Sequence, residues 1–314
     1  STTKPALVYM QNSGLGNCIN PLSSLAAQNV YGIPMVLVIG WRSEIKNGTQ
    51  LNDEDQHKLQ GKITLDILDL LDVEYKIIDN YKSFINNLKI YRNKTIKSQK
   101  PVALIIRKNT FKKVSYIPKK VWKQSNISRK LVLNIILSNL SMDAFYITNT
   151  GFTSREFLET KLKTLKESQL RDFLCIGGMG HAISVATGIA VTKRNKKIVC
   201  LDGDGSMLMH LGSYRNASKL DNLLVFLFNN GCHESVGGNL TDFKNLSFAD
   251  LAKKIGFKNT FTTYKTNEFM HILDKIKSIN GSIFIEVRCN PLKNNNLIRP
   301  KITMQDLKSQ ITFY

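Results

Sequence analysis

Long apolar runs are missing from this chain. No stretch approaches the ~18 residues that a membrane-spanning helix needs, and the opening Ser1-Thr2-Thr3-Lys4-Pro5 lacks the basic-then-apolar order of a secretory signal. No membrane partner is therefore expected. The five cysteines, Cys18, Cys175, Cys200, Cys232 and Cys289, are odd in number, scattered and without a CxxC pair. That pattern argues against a disulfide framework and a structural zinc site, and for a reducing, cytoplasmic compartment. No internal repeat of roughly 20–50 residues occurs, which excludes a solenoid.

Acid is also scarce: 24 acidic residues face 44 basic ones, a formal charge of +20. Such a surplus invites a nucleic-acid reading. The lysines, however, are spread widely and travel with many Asn and Ile. The densest basic stretch, residues 107–130, contains Tyr116 and Trp122 but no recognisable DNA- or RNA-binding motif. No nucleic-acid partner is expected, and the charge suits a small anionic substrate better.

What is present is ordinary globular material. At 314 residues, 42% hydrophobic and 22% charged, the chain suits two domains with sizeable cores. Apolar segments at 5–10, 34–39, 74–78 and 102–106 read as strands, separated by helical patterns near 63–71 and 81–90. The tip Gln11-Asn12-Ser13-Gly14-Leu15-Gly16-Asn17 reads as a glycine turn, and residues 53–61 as a polar loop. The second half repeats the alternation: strands at 144–149, 172–176, 221–228, 260–263 and 282–287, with helices near 183–191, 248–255 and 268–279. Thr153 and Glu156 have the spacing of a capping box. This order predicts α/β architecture with parallel strands. The tail from Asn290 is expected to pack over a neighbouring subunit or to stay partly mobile.

The most informative stretch is Leu201-Asp202-Gly203-Asp204-Gly205-Ser206, which follows the apolar strand 197–201. Gly203 and Gly205 let the backbone turn sharply and approach a ligand. Asp204 stands at the carboxyl end of a strand, where open α/β sheets bind ligands. A helix is predicted from Ser206, with free backbone N–H groups for an anion. After 23 further residues the next strand ends at Asn229-Asn230-Gly231. A carboxylate and a carboxamide on adjacent strand ends are oxygen donors suited to magnesium beside a phosphate.

This pairing resembles the diphosphate-binding signature of thiamine-diphosphate enzymes. Together with Tyr9-Met10-Gln11-Asn12-Ser13-Gly14, Gly40-Trp41-Arg42, Gln56-His57, Gln60-Gly61, Arg107-Lys108, Gly151-Phe152-Thr153-Ser154-Arg155, Gly178-Met179-Gly180-His181-Ala182 and Cys232-His233-Glu234-Ser235-Val236-Gly237-Gly238, it makes the chain similar to the phosphonopyruvate decarboxylase family. Sulfopyruvate decarboxylase is a close relative. The resemblance implies two doubly wound parallel-sheet domains. Residues 1–115 would form a pyrimidine-binding domain that lacks its N-terminal part, 116–135 a linker, and 136–314 a diphosphate-binding domain. Active sites would lie at the subunit interfaces of a homo-oligomer.

The resemblance further implies thiamine diphosphate and Mg²⁺ as cofactors. Asp204, Asn230 and the Cys232 carbonyl would hold the metal. Gly205, Ser206, Glu234 and Ser235 would meet the diphosphate, and Gly177, Gly178 and Met179 the thiazolium and aminopyrimidine. Asn12, Ser13, Arg42, Gln56 and Gln60 are candidate substrate contacts, with His57, His233 and Glu234 as candidate catalytic groups. Arg42 has a second reading, a salt bridge to Glu44 or Asp53, and Glu234 has one too, a cap on the diphosphate turn. The expected reaction converts 3-phosphonopyruvate, a small anionic 2-oxo acid, into phosphonoacetaldehyde and CO₂ in phosphonate biosynthesis. The family's activating glutamate would fall ahead of Ser1. A sulfopyruvate decarboxylase and a non-catalytic cofactor-binding or assembly subunit are the alternatives.

Overall fold

The segment Val102–Ile106 (VALII) is apolar at every position, and a strand of that kind needs cover on both faces. It receives that cover in the first of two units, Ser1–Ser115 and Tyr116–Tyr314, into which the computed structural model divides. The structure describes residues 4–112, 121–140, 144–243, 246–291, 297 and 302–312.

In the first unit, β1 (Ala6–Gln11) leads directly into α1 (Asn12–Pro21), followed by β2 (Met35–Gly40) and a small hairpin, β3 (Ile45–Lys46) with β4 (Thr49–Gln50). Then come α2 (Asp55–Leu70), β5 (Glu74–Ile78), α3 (Tyr81–Ser98) and β6 (Val102–Ile106). The main sheet has the order β1-β2-β6-β5 and all its pairs are parallel. Leu37, Ile39, Ala103 and Ile105 pack on one face against Leu15 of α1 and Leu68 of α2. Val36, Val38, Leu104 and Ile106 pack on the other, toward Tyr91 of α3.

Two stretches differ from their sequence reading. Residues 11–17 form no turn, because Asn12 is a buried anchor from which α1 starts. Its Nδ2 donates to the Arg42 carbonyl (3.1 Å) and Thr64 Oγ1 (3.0 Å), and its Oδ1 accepts the Arg42 N–H (3.2 Å). Residues 55–61 are helix, not loop. Their exposed face is polar and so conceals the helical period, while Asp55 suits the positive N-terminus.

In the second unit the chain runs α4 (Arg129–Asn139), β7 (Phe145–Thr148), α5 (Phe152–Lys161), β8 (Phe173–Leu174), α6 (Ala182–Thr192), β9 (Ile198–Gly203), α7 (Asp204–Met209) and α8 (Ser213–Ala217). It continues with β10 (Leu223–Asn229), α9 (Phe248–Ile255), β11 (Asn259–Thr263), α10 (Thr266–Lys275), β12 (Ile283–Arg288) and α11 (Met304–Thr312). The strands form a six-stranded parallel sheet in the order β11-β12-β10-β9-β7-β8. Alternate residues divide between two cores. Val199, Leu201, Leu224, Phe226 and Phe228 face α4, α5, α10 and α11, while Ile198, Cys200, Leu223, Val225 and Leu227 face α6, α8 and α9. The connections leave β7 and β9 toward opposite faces, so these adjacent strands mark the topological switch point, where a crevice opens at the carboxyl edge.

Three further expectations change here. The linker reading fails for the described residues 121–135, since Trp122, Ile127 and Arg129 are buried and α4 starts at Arg129. The capping-box reading fails because Gly151 is the N-cap of α5, leaving Thr153 and Glu156 inside the helix and buried. In the tail, Leu307 of α11 is buried in the core of its own unit.

A helical glycine permits the close approach of α2 in the first unit. A Cβ on Gly61 would collide with the Ser43 carbonyl oxygen, and the Gly61 carbonyl accepts Trp41 Nε1–H at 2.8 Å. Gly61→Ala is expected to destabilise this unit by about 1–3 kcal/mol, read as a lower urea midpoint in Trp41 fluorescence.

Candidate functional site

At the crevice predicted by the switch point lies a cleft that is open at its mouth. Its walls come from the ends of three neighbouring strands: Asn149 and Thr150 after β7, Gly203 to Ser206 after β9, and Asn230 to Val236 after β10. Met179, Phe152 and Arg129 complete it.

The floor is glycine for a steric reason. A Cβ on Gly203 would lie 2.9 Å from Asn149 Nδ2, and one on Gly205 would lie 2.6 Å from His233 Nδ1. Just below, Asp202 is fully buried and accepts the Gly203 N–H (2.8 Å) and the Tyr214 hydroxyl (2.7 Å), which fixes the turn from beneath. The helix expected from Ser206 begins at Asp204 and lasts only six residues, breaking at His210 before α8.

Asp204 is 3% exposed, and its Oδ2 accepts both the Gly231 N–H and the Thr241 hydroxyl, each at 3.0 Å. Burial pushes its carboxyl up to about 7, against donors from Thr241, Gly205 and Gly231 that favour the anion. A group that strains to stay charged in isolation is suited to a cation. Ser206 Oγ accepts the Gly180 N–H at 3.1 Å, tying the turn after β9 to the turn that carries Met179.

The paired asparagines have different surroundings. Asn229 is locked into the sheet: its Nδ2 donates to Glu286 Oε1 (2.7 Å) and its Oδ1 accepts the Gly231 N–H (3.1 Å). Asn230 lines the cleft. Its Oδ1 accepts the Cys232 N–H (3.1 Å) and its Nδ2 donates to Glu234 Oε2 (2.9 Å). The Cys232 carbonyl accepts the Glu234 N–H at 2.9 Å and retains a second lone pair. The Cys232 thiol is pushed up to about 12, chiefly by burial, and so is no anion.

Of the residues singled out in sequence, the fold brings Met179, Asp204, Gly205, Ser206, Asn230, Cys232, His233, Glu234 and Ser235 to one cleft. Gly177 and Gly178 belong to the turn before Met179 and do not line it. The remaining six belong to the first unit. There Asn12 is spent on the backbone of Arg42 and on Thr64, and Ser13 Oγ donates to Gln11 Oε1 (2.8 Å). Arg42 pairs with Asp53 through Nε (2.9 Å) and Nη2, so the salt-bridge reading of this arginine holds. Gln56 Nε2 donates to Glu54, and His57 and Gln60 face each other at 3.4 Å on α2. Glu234 is ion-paired to Arg129 at 3.0 Å.

Arg129, Asn149 and Thr241 line or support the cleft without having been selected from the sequence. Asn149 was traceable as a polar residue at a strand's carboxyl end. Thr241 was not, because it reaches Asp204 only after a loop closed by the Cys232–Leu240 bridge and the Thr241 N–H to Gly231 carbonyl bond.

The comparisons agree with this geometry. The family of the thiamine pyrophosphate enzyme C-terminal TPP-binding domain matches residues 157–287. The chain is 30% identical to the phosphonopyruvate decarboxylase of Streptomyces viridochromogenes over 93% of this chain and 75% of that protein. It is 32% identical to the sulfopyruvate decarboxylase subunit beta of Methanothermobacter thermautotrophicus over 52% of this chain and 80% of that subunit. Among solved structures, the thiamine diphosphate-dependent 4-hydroxybenzoylformate decarboxylase of Rhodococcus jostii RHA1 aligns with a TM-score of 0.46 and 14% identity, covering 93% of this chain and 62% of that one. The chain thus spans less than two thirds of that solved structure.

The fold is that of a thiamine-diphosphate-binding α/β enzyme. More narrowly, the chain belongs to the phosphonopyruvate decarboxylase family of carboxy-lyases. Among the described residues no helix is long and apolar enough to cross a membrane.

The Arg42–Asp53 pair makes a pH prediction. Arg42 draws the Asp53 carboxyl down from 3.8 to about 2, helped by the Glu54 N–H and opposed by burial. A depressed acid contributes stability that is complete above its unfolded value of 3.8 and is lost as the pH falls through about 2. Asp53→Asn is therefore expected to lower the urea midpoint of Trp41-reported unfolding at pH 6, and the gap to the parent should close near pH 2. An unchanged gap across that range would refute the pairing.

Proposed function

We propose that this protein is a thiamine-diphosphate- and Mg²⁺-dependent decarboxylase that converts 3-phosphonopyruvate into phosphonoacetaldehyde and CO₂, in phosphonate biosynthesis. The observation that carries this reading is the juxtaposition of Asp204 and Asn230 over a floor closed to side chains, at the switch point of a parallel sheet. The cofactor fits the residues present. A Cβ on Gly203 or Gly205 would strike Asn149 or His233, so only glycine lets the backbone itself border the cleft there, and the buried Oδ1 of Asn149, at the wall of the cleft, has no partner among the described residues. Asp204, Asn230 and the Cys232 carbonyl form an all-oxygen set of the kind Mg²⁺ takes.

In this reading the second unit is the diphosphate-binding domain and the first the pyrimidine-binding domain. When bound, thiamine diphosphate supplies the electron sink for loss of CO₂, and the protein supplies placement and electrostatics. Asp204 and Asn230 hold the metal against the diphosphate. Gly205, Ser206, Glu234 and Ser235 border the anion, and Ser206 also keeps the Met179 turn in register through Gly180. Gly177, Gly178 and Met179 would meet the thiazolium and aminopyrimidine. His233, beside Gly205 in the cleft, is the candidate for exchanging a proton with the substrate.

From the first unit, Ser13, Gln56, His57 and Gln60 are the candidate contacts to the keto acid. Asn12 and Arg42 act through the scaffold, since both are engaged internally. The active assembly is a homo-oligomer in the cytoplasm with sites shared between subunits. Exposed Leu7 and Tyr9 on the edge strand β1, 59% and 75% accessible, favour a covered face there.

Sulfopyruvate is the second candidate substrate, motivated by the similarity to the sulfopyruvate decarboxylase subunit beta. Full-length protein given thiamine diphosphate and Mg²⁺ should release phosphonoacetaldehyde from 3-phosphonopyruvate, with a larger kcat/KM than for sulfopyruvate in direct competition. A reversed ratio would move the assignment to sulfopyruvate, and no CO₂ from either would end the decarboxylase reading. Asp204→Ala should abolish Mg²⁺ binding.

A further inference from the structure

Among the described residues Arg129 is the one buried guanidinium that reaches the cleft, and neither its place in α4 nor its neighbours follow from the signature residues. It is 5% exposed, donates through Nε to Glu156 and through Nη1 to Glu234 Oε2 at 3.0 Å. The same Glu234 oxygen accepts Asn230 Nδ2 at 2.9 Å. Arg129, Glu234 and Asn230 thus form one hydrogen-bonded series from the start of α4 to the end of β10.

The chemistry of that series is directional. A carboxamide has two nearly isosteric ends, and only its oxygen can ligate a hard cation. Asn230 is held with Nδ2 toward a carboxylate and Oδ1 toward the Cys232 N–H. Rotating the amide would set oxygen against the anion and NH₂ against an N–H, losing both bonds. The restriction comes from the acceptor: Glu234 Oε2 already accepts the Arg129 Nη1–H, so it offers Asn230 only a lone pair, whereas an amide at this position could turn its NH₂ to Asn230 and tolerate either orientation. The Glu234 side chain is only 5% accessible, and Arg129 is the ion-pair partner that holds it there.

We infer that Arg129 is a positioning residue for the metal site: by donating to Glu234 Oε2 it keeps that oxygen an acceptor and so locks the Asn230 carboxamide with its own oxygen available to Mg²⁺. The inference rests on the reading of Asp204 and Asn230 as metal ligands. It assigns to Glu234 the orientation of a ligand, in place of the proton handling considered for it from sequence.

The test is the Mg²⁺ affinity of the 314-residue chain at saturating thiamine diphosphate, measured by isothermal titration calorimetry. Folding is checked by circular dichroism, and metal-free thermal unfolding is recorded in parallel. Arg129→Met should weaken Mg²⁺ binding by about tenfold or more. Arg129→Lys, which keeps the charge but not the fork, should recover most of that loss even where it unfolds at the same temperature as Arg129→Met. Glu234→Gln should weaken binding as Arg129→Met does, and the double variant should be no weaker than the worse single one.

Equal losses in Arg129→Met and Arg129→Lys would mean a packing role and overturn the inference. So would parental affinity in folded Arg129→Met, or losses that multiply in the double variant. If Arg129→Met does not fold, Glu234→Gln decides alone: parental affinity overturns the inference, a clear loss supports it. Asp204→Ala separates the two levels. If it retains parental Mg²⁺ affinity, the metal site itself is misplaced, whereas loss in Asp204→Ala with none in Glu234→Gln leaves the site standing and removes only the lock.

Discussion

The second unit depends on how the ends of β9 and β10 are joined. Asp204 Oδ2 takes a backbone N–H from Gly231 and a hydroxyl from Thr241, so one buried carboxylate holds the strand end, the following turn and the returning loop. An enclosed carboxylate is costly unless it is satisfied, and it is satisfied here only when all three segments are in place. The turn after β9 cannot relax sideways either, because Asn149 and His233 fill the space a side chain would take at Gly203 and Gly205. The cleft is a by-product of this closure.

Around that point the unit holds more buried charge than its apolar cores would suggest. Glu286, in the middle of the sheet, accepts from Asn229, Arg288, Ser247, Thr262 and the Ala249 N–H. Asp172 pairs with Lys161, and Glu156 with Arg129. Such pairs contribute little net stability when burial has to be offset, but removing one partner is expensive. They restrict which loop goes where: Glu286 fixes Asn229, leaving Asn230 as the asparagine that faces the cleft, and Arg129 ties α4 and α5 to Glu234, four residues further on.

Much of this was legible along the chain because it follows from local patterns. The apolar run 197–201 becomes β9, 102–106 becomes β6, and 248–255 becomes α9. Two of the expectations that failed share a cause, which is a polar group whose partner is remote in sequence. Asn12 looked like a turn residue until its amide met Thr64, 52 residues on. Glu156 looked like a cap until it met Arg129, 27 residues back. Residues 55–61 looked like loop because the exposed face of α2 carries most of their polarity.

The sequence by itself determined the α/β alternation, the glycine floor and the two oxygen donors, since strand periodicity, the absence of a Cβ and the chemistry of Asp and Asn are properties of the residues. It also determined that the oxygen donors stand after successive strands. Tertiary structure alone decided that β7 and β9 lie side by side with their helices on opposite faces, because sheet order is not written in any local pattern. It decided too that Thr241 supports Asp204 and Arg129 supports Glu234, because a hydrogen bond across 37 or 105 residues exists only once the intervening chain has folded.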